Sequence, residues 1–68
     1  MSQDTRTLVP GKGFVRVRWR DGFWCVSVLT LDGKPYGDAQ GRPIVLFPDH
    51  CQTSICAFSY GLEAILTM

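Results

Sequence analysis

Apolar and polar residues alternate along two adjacent stretches of the chain. Residues 14–20 read FVRVRWR and residues 23–28 read FWCVSV, with Asp21 and Gly22 between them. Such alternation is typical of a strand with one covered face. Asp-Gly between two alternating runs favours a two-residue turn that needs positive φ at both positions. The pattern therefore predicts an antiparallel hairpin, 14–20/23–31.

A two-residue turn also fixes the register, so Trp19 should face Trp24 and Arg20 should face Phe23. This register sorts the side chains of the hairpin onto two faces. One face carries the valines and both tryptophans: Val15, Val17, Trp19, Trp24, Val26 and Val28. The other face carries Arg16, Arg18, Arg20, Phe23, Cys25 and Ser27.

The rest of the chain has weaker patterns. Residues 1–13 are polar and end in Pro-Gly-Lys-Gly, which indicates a flexible N-terminal arm before a single small β-domain at 14–68. Residues 43–48 form a short apolar run bracketed by prolines and predict a short strand. Residues 53–58 are rich in β-prone residues and predict another.

The last ten residues fit two templates. A turn at 59–61 followed by a strand would point Leu62, Ala64, Leu66 and Met68 inward. A helix over 59–67 would place Phe58, Leu62, Ile65 and Leu66 on one stripe. The first template gives a mainly β fold, an antiparallel sheet curled into an SH3-like, partly open barrel of 4–5 strands. The alternative is an antiparallel sheet with a short C-terminal helix.

The order of elements resembles a small SH3-like barrel. That order is a hairpin, a bent second strand, a long loop, two short strands, a turn containing Tyr60 and a terminal strand. Plasmid-borne dihydrofolate reductases of this size share the general shape. Residues 53–60 lack the polar-aromatic signature that the pore of such an enzyme needs, so the resemblance implies a fold and transfers neither residues nor activity.

The length limits what the protein can do by itself. The chain has 68 residues, 46% hydrophobic and 19% charged, which is the composition of one globular domain. On folding, a domain of this size buries only about 60% of the surface that its unfolded chain exposes. Both tryptophans and the two-faced apolar run 44–47 exceed what one core layer covers, so we expect self-association or a protein partner.

Three arginines along one strand, with Phe23 beside them, form the clearest candidate binding surface. Guanidinium groups bind phosphates and carboxylates and stack on aromatic rings, and exposed rings of Phe23 or Trp24 could stack on unpaired bases. The competing interpretation is a solvated face on which arginine stems cover apolar surface. Because the net charge is only +1, any attraction for anions must come from this local cluster.

Cysteine chemistry is the other candidate. An odd count of three cysteines, and a start without a basic stretch before an apolar one, indicate free thiols and a cytoplasmic location. His50, Cys51, Cys56 and Cys25 could in principle bind zinc, and residues 49–51 read like a nucleophile with its base. Neighbouring side chains point apart, so we expect the cysteines to be small buried apolar residues instead.

These observations predict a non-enzymatic binding module without catalytic residues, metal or cofactor. We expect a protein-interaction, inhibitor or adaptor protein of bacterial, phage or plasmid origin, which self-associates and does not enter a membrane. Trp19, Trp24 and Phe47 would be its apolar anchors, with Arg16, Arg18 and Arg20 as the rim. The alternative is a single-stranded nucleic-acid or RNA-binding barrel that uses the same arginines with Phe23 and Trp24. An enzyme would require a pore-type site formed in a homo-oligomer.

Overall fold

A computed structural model describes residues 4–67 as one antiparallel sheet with a helix on one face. The strands are β1 (Asp4–Val9), β2 (Gly13–Arg20), β3 (Phe23–Leu29) and β4 (Val45–Leu46), in the spatial order β1-β2-β3-β4. Helix α1 (Ser54–Leu66) follows and packs on β2 and β3. The fold is therefore mainly β with one short C-terminal helix. Within the described residues, no helix has the length and apolarity needed to cross a membrane.

The β2–β3 hairpin has the predicted turn and register. Trp19 pairs with Trp24 and Arg20 with Phe23, and both turn residues have positive φ, 52° at Asp21 and 84° at Gly22. Strand β3 ends at Leu29 instead of residue 31, because the chain turns immediately afterwards. The Thr30 amide donates to the Lys34 carbonyl at 2.7 Å and closes this turn.

Strand β1 occupies part of the segment for which the sequence predicts a flexible arm. Residues 4–9 pair with β2 along their whole length, from Asp4 opposite Arg18 to Val9 opposite Gly13. All of these residues except Val9 are exposed. An edge strand with both faces open needs no apolar alternation, so the usual sequence signal is missing. Residues 1–3 of the predicted arm lie outside the described residues.

Helix α1 starts at Ser54, where the sequence predicted a strand over 53–58. That prediction and the strand template for the tail are wrong. The alternative with a C-terminal helix is confirmed, but the helix starts at Ser54 instead of residue 59. Met68 lies outside the described residues. Thr53 supplies the missing start signal. Its backbone is extended, and its hydroxyl accepts a hydrogen bond from the Cys56 amide at 3.2 Å, which is the geometry of a helix N-cap.

The side of α1 that packs on the sheet has glycine at its centre. Ala57, Gly61 and Ile65 are buried at four-residue spacing. A Cβ atom on Gly61 would lie closer than 3.0 Å to Cγ1 of both Val15 and Val26. Leu66, which the helix template placed on the apolar stripe, is instead 55% exposed. Glycine thus lets the helix axis approach the sheet at the cost of helix propensity.

The sheet does not close, so an SH3-like barrel is not confirmed. Strands β1 and β4 are its two edges. Beyond β3, Pro35 forms only an isolated bridge to Leu29 and Pro43 one to Gly37, as expected of residues that cannot donate to a strand ladder. The helix covers the apolar face that closure of a barrel would otherwise have enclosed.

Candidate functional site

The sheet has one face under α1 and one face that no other strand or helix of residues 4–67 covers. We call the second the open face. The strand registers assign to it the side chains alternating with the helix-facing valines. It comprises Asp4, Arg6, Leu8, Phe14, Arg16, Arg18, Arg20, Phe23, Cys25, Ser27, Leu29 and Val45, with Phe47 just beyond β4; of these, Cys25 and Leu29 are buried.

Two arginines of the open face have partners within the chain. Arg16 donates two hydrogen bonds to the Asp4 carboxylate, from Nε at 3.0 Å and Nη2 at 2.6 Å. The bond to Arg16 lowers the pKa of Asp4, and the bond to Asp4 raises the pKa of Arg16. Arg6 lies over the Phe14 ring, 5.9 Å from its centroid. Both arginines are therefore held against neighbours on β1 and β2.

Arg18 is held differently. Its side chain is half-buried over Cys25, with Nη2 3.7 Å from the Cys25 sulfur. Its Nε atom is buried and has no hydrogen-bond partner among residues 4–67. Within the same residues, neither Arg18 nor the exposed Arg20 forms a salt bridge. A partly desolvated cation without a counter-ion is costly, so this position favours an anion from outside the chain.

A cavity of about 470 Å³ opens beside these two arginines. Its lining consists of Arg18, Arg20, Asp21, Phe23, Cys25, Val45 and Phe47. Phe23 is 62% and Phe47 is 66% exposed, which is unusual for rings of this size. The cavity therefore combines two guanidinium groups that form no salt bridge within residues 4–67 with two accessible aromatic rings.

The two tryptophans lie on the side of the sheet that α1 covers. Trp24 is only 7% exposed, and Trp19 is half-buried against it, with ring centroids 4.7 Å apart at 64°. They lie on the face opposite the arginines, as the predicted register requires, and they line a second cavity together with Phe23 and Phe47. Of the three predicted apolar anchors, Phe47 is the one that joins the open face. Phe23 lies there as predicted.

The cysteines do not form a ligand set or a nucleophilic centre. Cys51 and Cys56 form a disulfide with their Cα atoms 5.5 Å apart, and Cys25 is free and buried. The prediction of three free thiols is therefore wrong, and the predicted location loses that support. The turn into α1 at Thr53 brings the two sulfurs together. Within residues 4–67, no three His, Cys, Asp or Glu side chains group as metal ligands.

His50 interacts with polar groups on both sides of its ring. Nδ1 lies 3.4 Å from a carboxylate oxygen of Asp49, and Nε2 bonds the hydroxyl of Tyr60. The rings of His50 and Tyr60 meet edge to face, with centroids 5.2 Å apart. These contacts attach the segment before α1 to the helix. The neighbouring Cys51 sulfur is already bonded to Cys56, so the sequence 49–51 provides no free thiol.

Sequence reasoning missed the contribution of β1 to the open face. Asp4 and Arg6 alternate with Thr5 and Thr7, a weak strand pattern made of polar residues. Pairing with β2 then places Asp4 and Arg6 beside the arginines. Comparison of the chain with protein-family models, curated proteins and solved structures finds no match.

Proposed function

We propose that the protein is a non-enzymatic binding module that contacts an anionic partner through the open face. The observation that carries this proposal is Arg18, a half-buried guanidinium without a carboxylate partner among the described residues. A bound phosphate or carboxylate would supply the missing counter-charge and accept hydrogen bonds from it. Arg20 adds a second available charge to the same cavity.

The apolar part of the contact comes from Phe23 and Phe47. Aromatic and arginine side chains dominate the energetics of protein interfaces, and here both types line one cavity. A second copy of the chain is the less favoured occupant, because both copies would bring a face with several arginines to the contact. The partner is therefore a different, acidic molecule.

Two partner classes follow from these groups. The first is an acidic protein segment, with the chain acting as an inhibitor or adaptor of bacterial or mobile-element origin. The second is single-stranded nucleic acid, which is favoured by the pairing of unneutralised arginines with exposed rings. Both use the open face, so its role can be tested before the partner is identified.

A photo-cross-linking amino acid at position 47 tests this role in cells. The matched control carries it at Leu66, which is similarly exposed but lies on α1. We expect an adduct from position 47 and none from position 66. Nuclease treatment of the adduct then gives the partner class, because nuclease shortens a nucleic-acid adduct and leaves a protein adduct unchanged. Equal adducts at both positions, or an adduct at position 66 alone, would contradict the proposal.

A further inference from the structure

We infer that the cavity beside Phe23 and Phe47 is a nucleotide subsite for a single-stranded nucleic acid. A base would stack on the exposed rings, and its phosphate would bind Arg18 and Arg20. This inference rests on the proposed function, because it names the partner of the same face.

The anionic half of the subsite is formed on one strand. Arg18 and Arg20 are two residues apart on β2, so both point to the open face at a separation of roughly 6–7 Å. Guanidinium groups bind phosphate oxygens through two parallel hydrogen bonds. Asp21 also lines the cavity, but two arginines against one aspartate leave it positive.

The aromatic half lies on the β3–β4 side of those arginines. Phe23 follows the hairpin turn and Phe47 follows β4, so the rings reach one cavity from different strands. Both rings are more than half exposed. Stacking of bases on aromatic rings tolerates any sequence, because every base has a π-face. The rings give the subsite affinity without base specificity.

A single-stranded nucleic acid would use both the arginines and the aromatic rings of the cavity more fully than an acidic peptide would. Carboxylates of a peptide would engage Arg18 and Arg20 but would leave both phenylalanine rings without a planar partner. A nucleotide places a planar group and an anion within one residue of each other. The cavity is open to solvent along its length, and its lining includes Arg18 and Arg20 on one side and both rings on the other.

The charges also predict how steeply salt weakens binding. Arg16 is engaged by Asp4, so Arg18 and Arg20 are the cations of β2 available for phosphates. Two neutralised phosphates on a single strand give a slope of about −1.4 for log K against log salt concentration. This is a shallow dependence, in keeping with a chain whose net charge is only +1.

The test is fluorescence anisotropy with a labelled oligothymidylate of about twelve nucleotides, titrated at several salt concentrations. A glutamate-rich peptide and thymidine monophosphate are measured in parallel. Arg18→Gln removes one available charge, and Phe47→Leu removes one ring. Arg42→Gln and Leu66→Ala are the matched controls, because neither residue lines the cavity. Thermal melting verifies that each variant is folded.

We expect the parent protein to bind the oligonucleotide with a slope of about −1.4. Arg18→Gln should reduce that slope by about 0.7. Phe47→Leu should weaken binding about five-fold or more and leave the slope unchanged. The two control variants should bind like the parent.

Four results would overturn the inference. Undiminished binding by folded Phe47→Leu excludes base stacking there. Thymidine monophosphate binding as tightly as the oligonucleotide excludes a strand as the ligand. Binding of the peptide without the oligonucleotide refutes nucleic acid but leaves the proposed function intact. If neither binds and position 47 gives no cross-link, both the inference and the proposed function fail.

Discussion

Asp4 accepts two hydrogen bonds from the guanidinium of Arg16 across the β1–β2 ladder, at 3.0 Å and 2.6 Å. Two residues further along β2, Arg18 has no such partner within residues 4–67. The sequence presents Arg16 and Arg18 as equivalent members of one alternating pattern. Strand β1 makes them different, because the Asp4 carboxylate hydrogen-bonds Arg16 and, although Asp4 lies opposite Arg18 in the ladder, makes no hydrogen bond or salt bridge to Arg18.

Asp4→Asn should strengthen anion binding. The substitution removes the carboxylate that engages Arg16, so a third guanidinium becomes available to phosphates. We expect tighter binding of oligothymidylate and a salt slope steeper by about 0.7, measured by anisotropy. Asp32→Asn is the matched control, since it removes the same charge in the turn after β3. An unchanged slope for Asp4→Asn would show that Arg16 does not reach the ligand.

The same ion pair should be lost in acid. The hydrogen bond from Arg16 lowers the pKa of Asp4 below the ordinary value of 3.8. The Asp4 carboxylate therefore binds a proton less readily in the folded state than in the unfolded state. The pair therefore contributes to stability above pH 3.8, and the contribution is lost as the pH falls through the lowered value. An NMR titration of the Asp4 carboxyl should show this midpoint, and Arg16→Gln should return it towards 3.8. A midpoint at the ordinary value in the parent protein would contradict the pairing.

Gly61→Ala should destabilise the protein although alanine is the better helix former. The new Cβ would lie closer than 3.0 Å to Val15 and Val26. Overpacking of this kind costs roughly 1–3 kcal/mol, against a gain of about 1 kcal/mol in helix propensity. We expect a net loss of up to about 2 kcal/mol in denaturant unfolding.

Two further variants show whether contact with the sheet is the cause. Ser59→Ala, at an exposed site of the same helix, should leave stability nearly unchanged. Combining Gly61→Ala with Val15→Ala should cost less than the two single changes together, because the smaller residue makes room for the new methyl group. Additive losses would show that contact with Val15 does not cause the destabilisation by Gly61→Ala.

The disulfide predicts the number of reactive thiols. Under denaturing conditions without reductant, one thiol should react, that of Cys25, and after reduction all three should. Closure of so short a loop stabilises a protein by about 2 kcal/mol, so Cys51→Ser should lower the free energy of unfolding by about that amount. Cys25→Ala retains the disulfide and is the control. Three reactive thiols in the unreduced protein would contradict the pairing.

The sequence predicts the hairpin well because its information is local. Asp21 and Gly22 specify the turn, and the turn sets the register and both faces of the two strands. The arginine row and Phe23 follow directly from that register. Nothing comparable marks β1, whose first four residues are polar on both faces.

The helix was ambiguous for a different reason. Gly61 argues against a helix by propensity, yet it is the residue at which the helix touches Val15 and Val26. Tertiary packing here overrides local preference. The position of the tryptophans followed from the hairpin, but their enclosure did not, because only the placement of α1 determines which face is covered.

Hydroxyl-radical footprinting tests most directly the claim that the open face is uncovered in the free protein and covered by its partner. The rates of oxidation at Phe23 and Phe47 are compared with those at Ile55 and Leu66 on the helix, first in the dilute purified protein and then in complexes recovered from cells. We predict rapid oxidation of all four side chains in the free protein and protection of the two phenylalanines alone in the complex. Phenylalanines already protected in the free protein, or protection confined to the helix in the complex, would contradict the account.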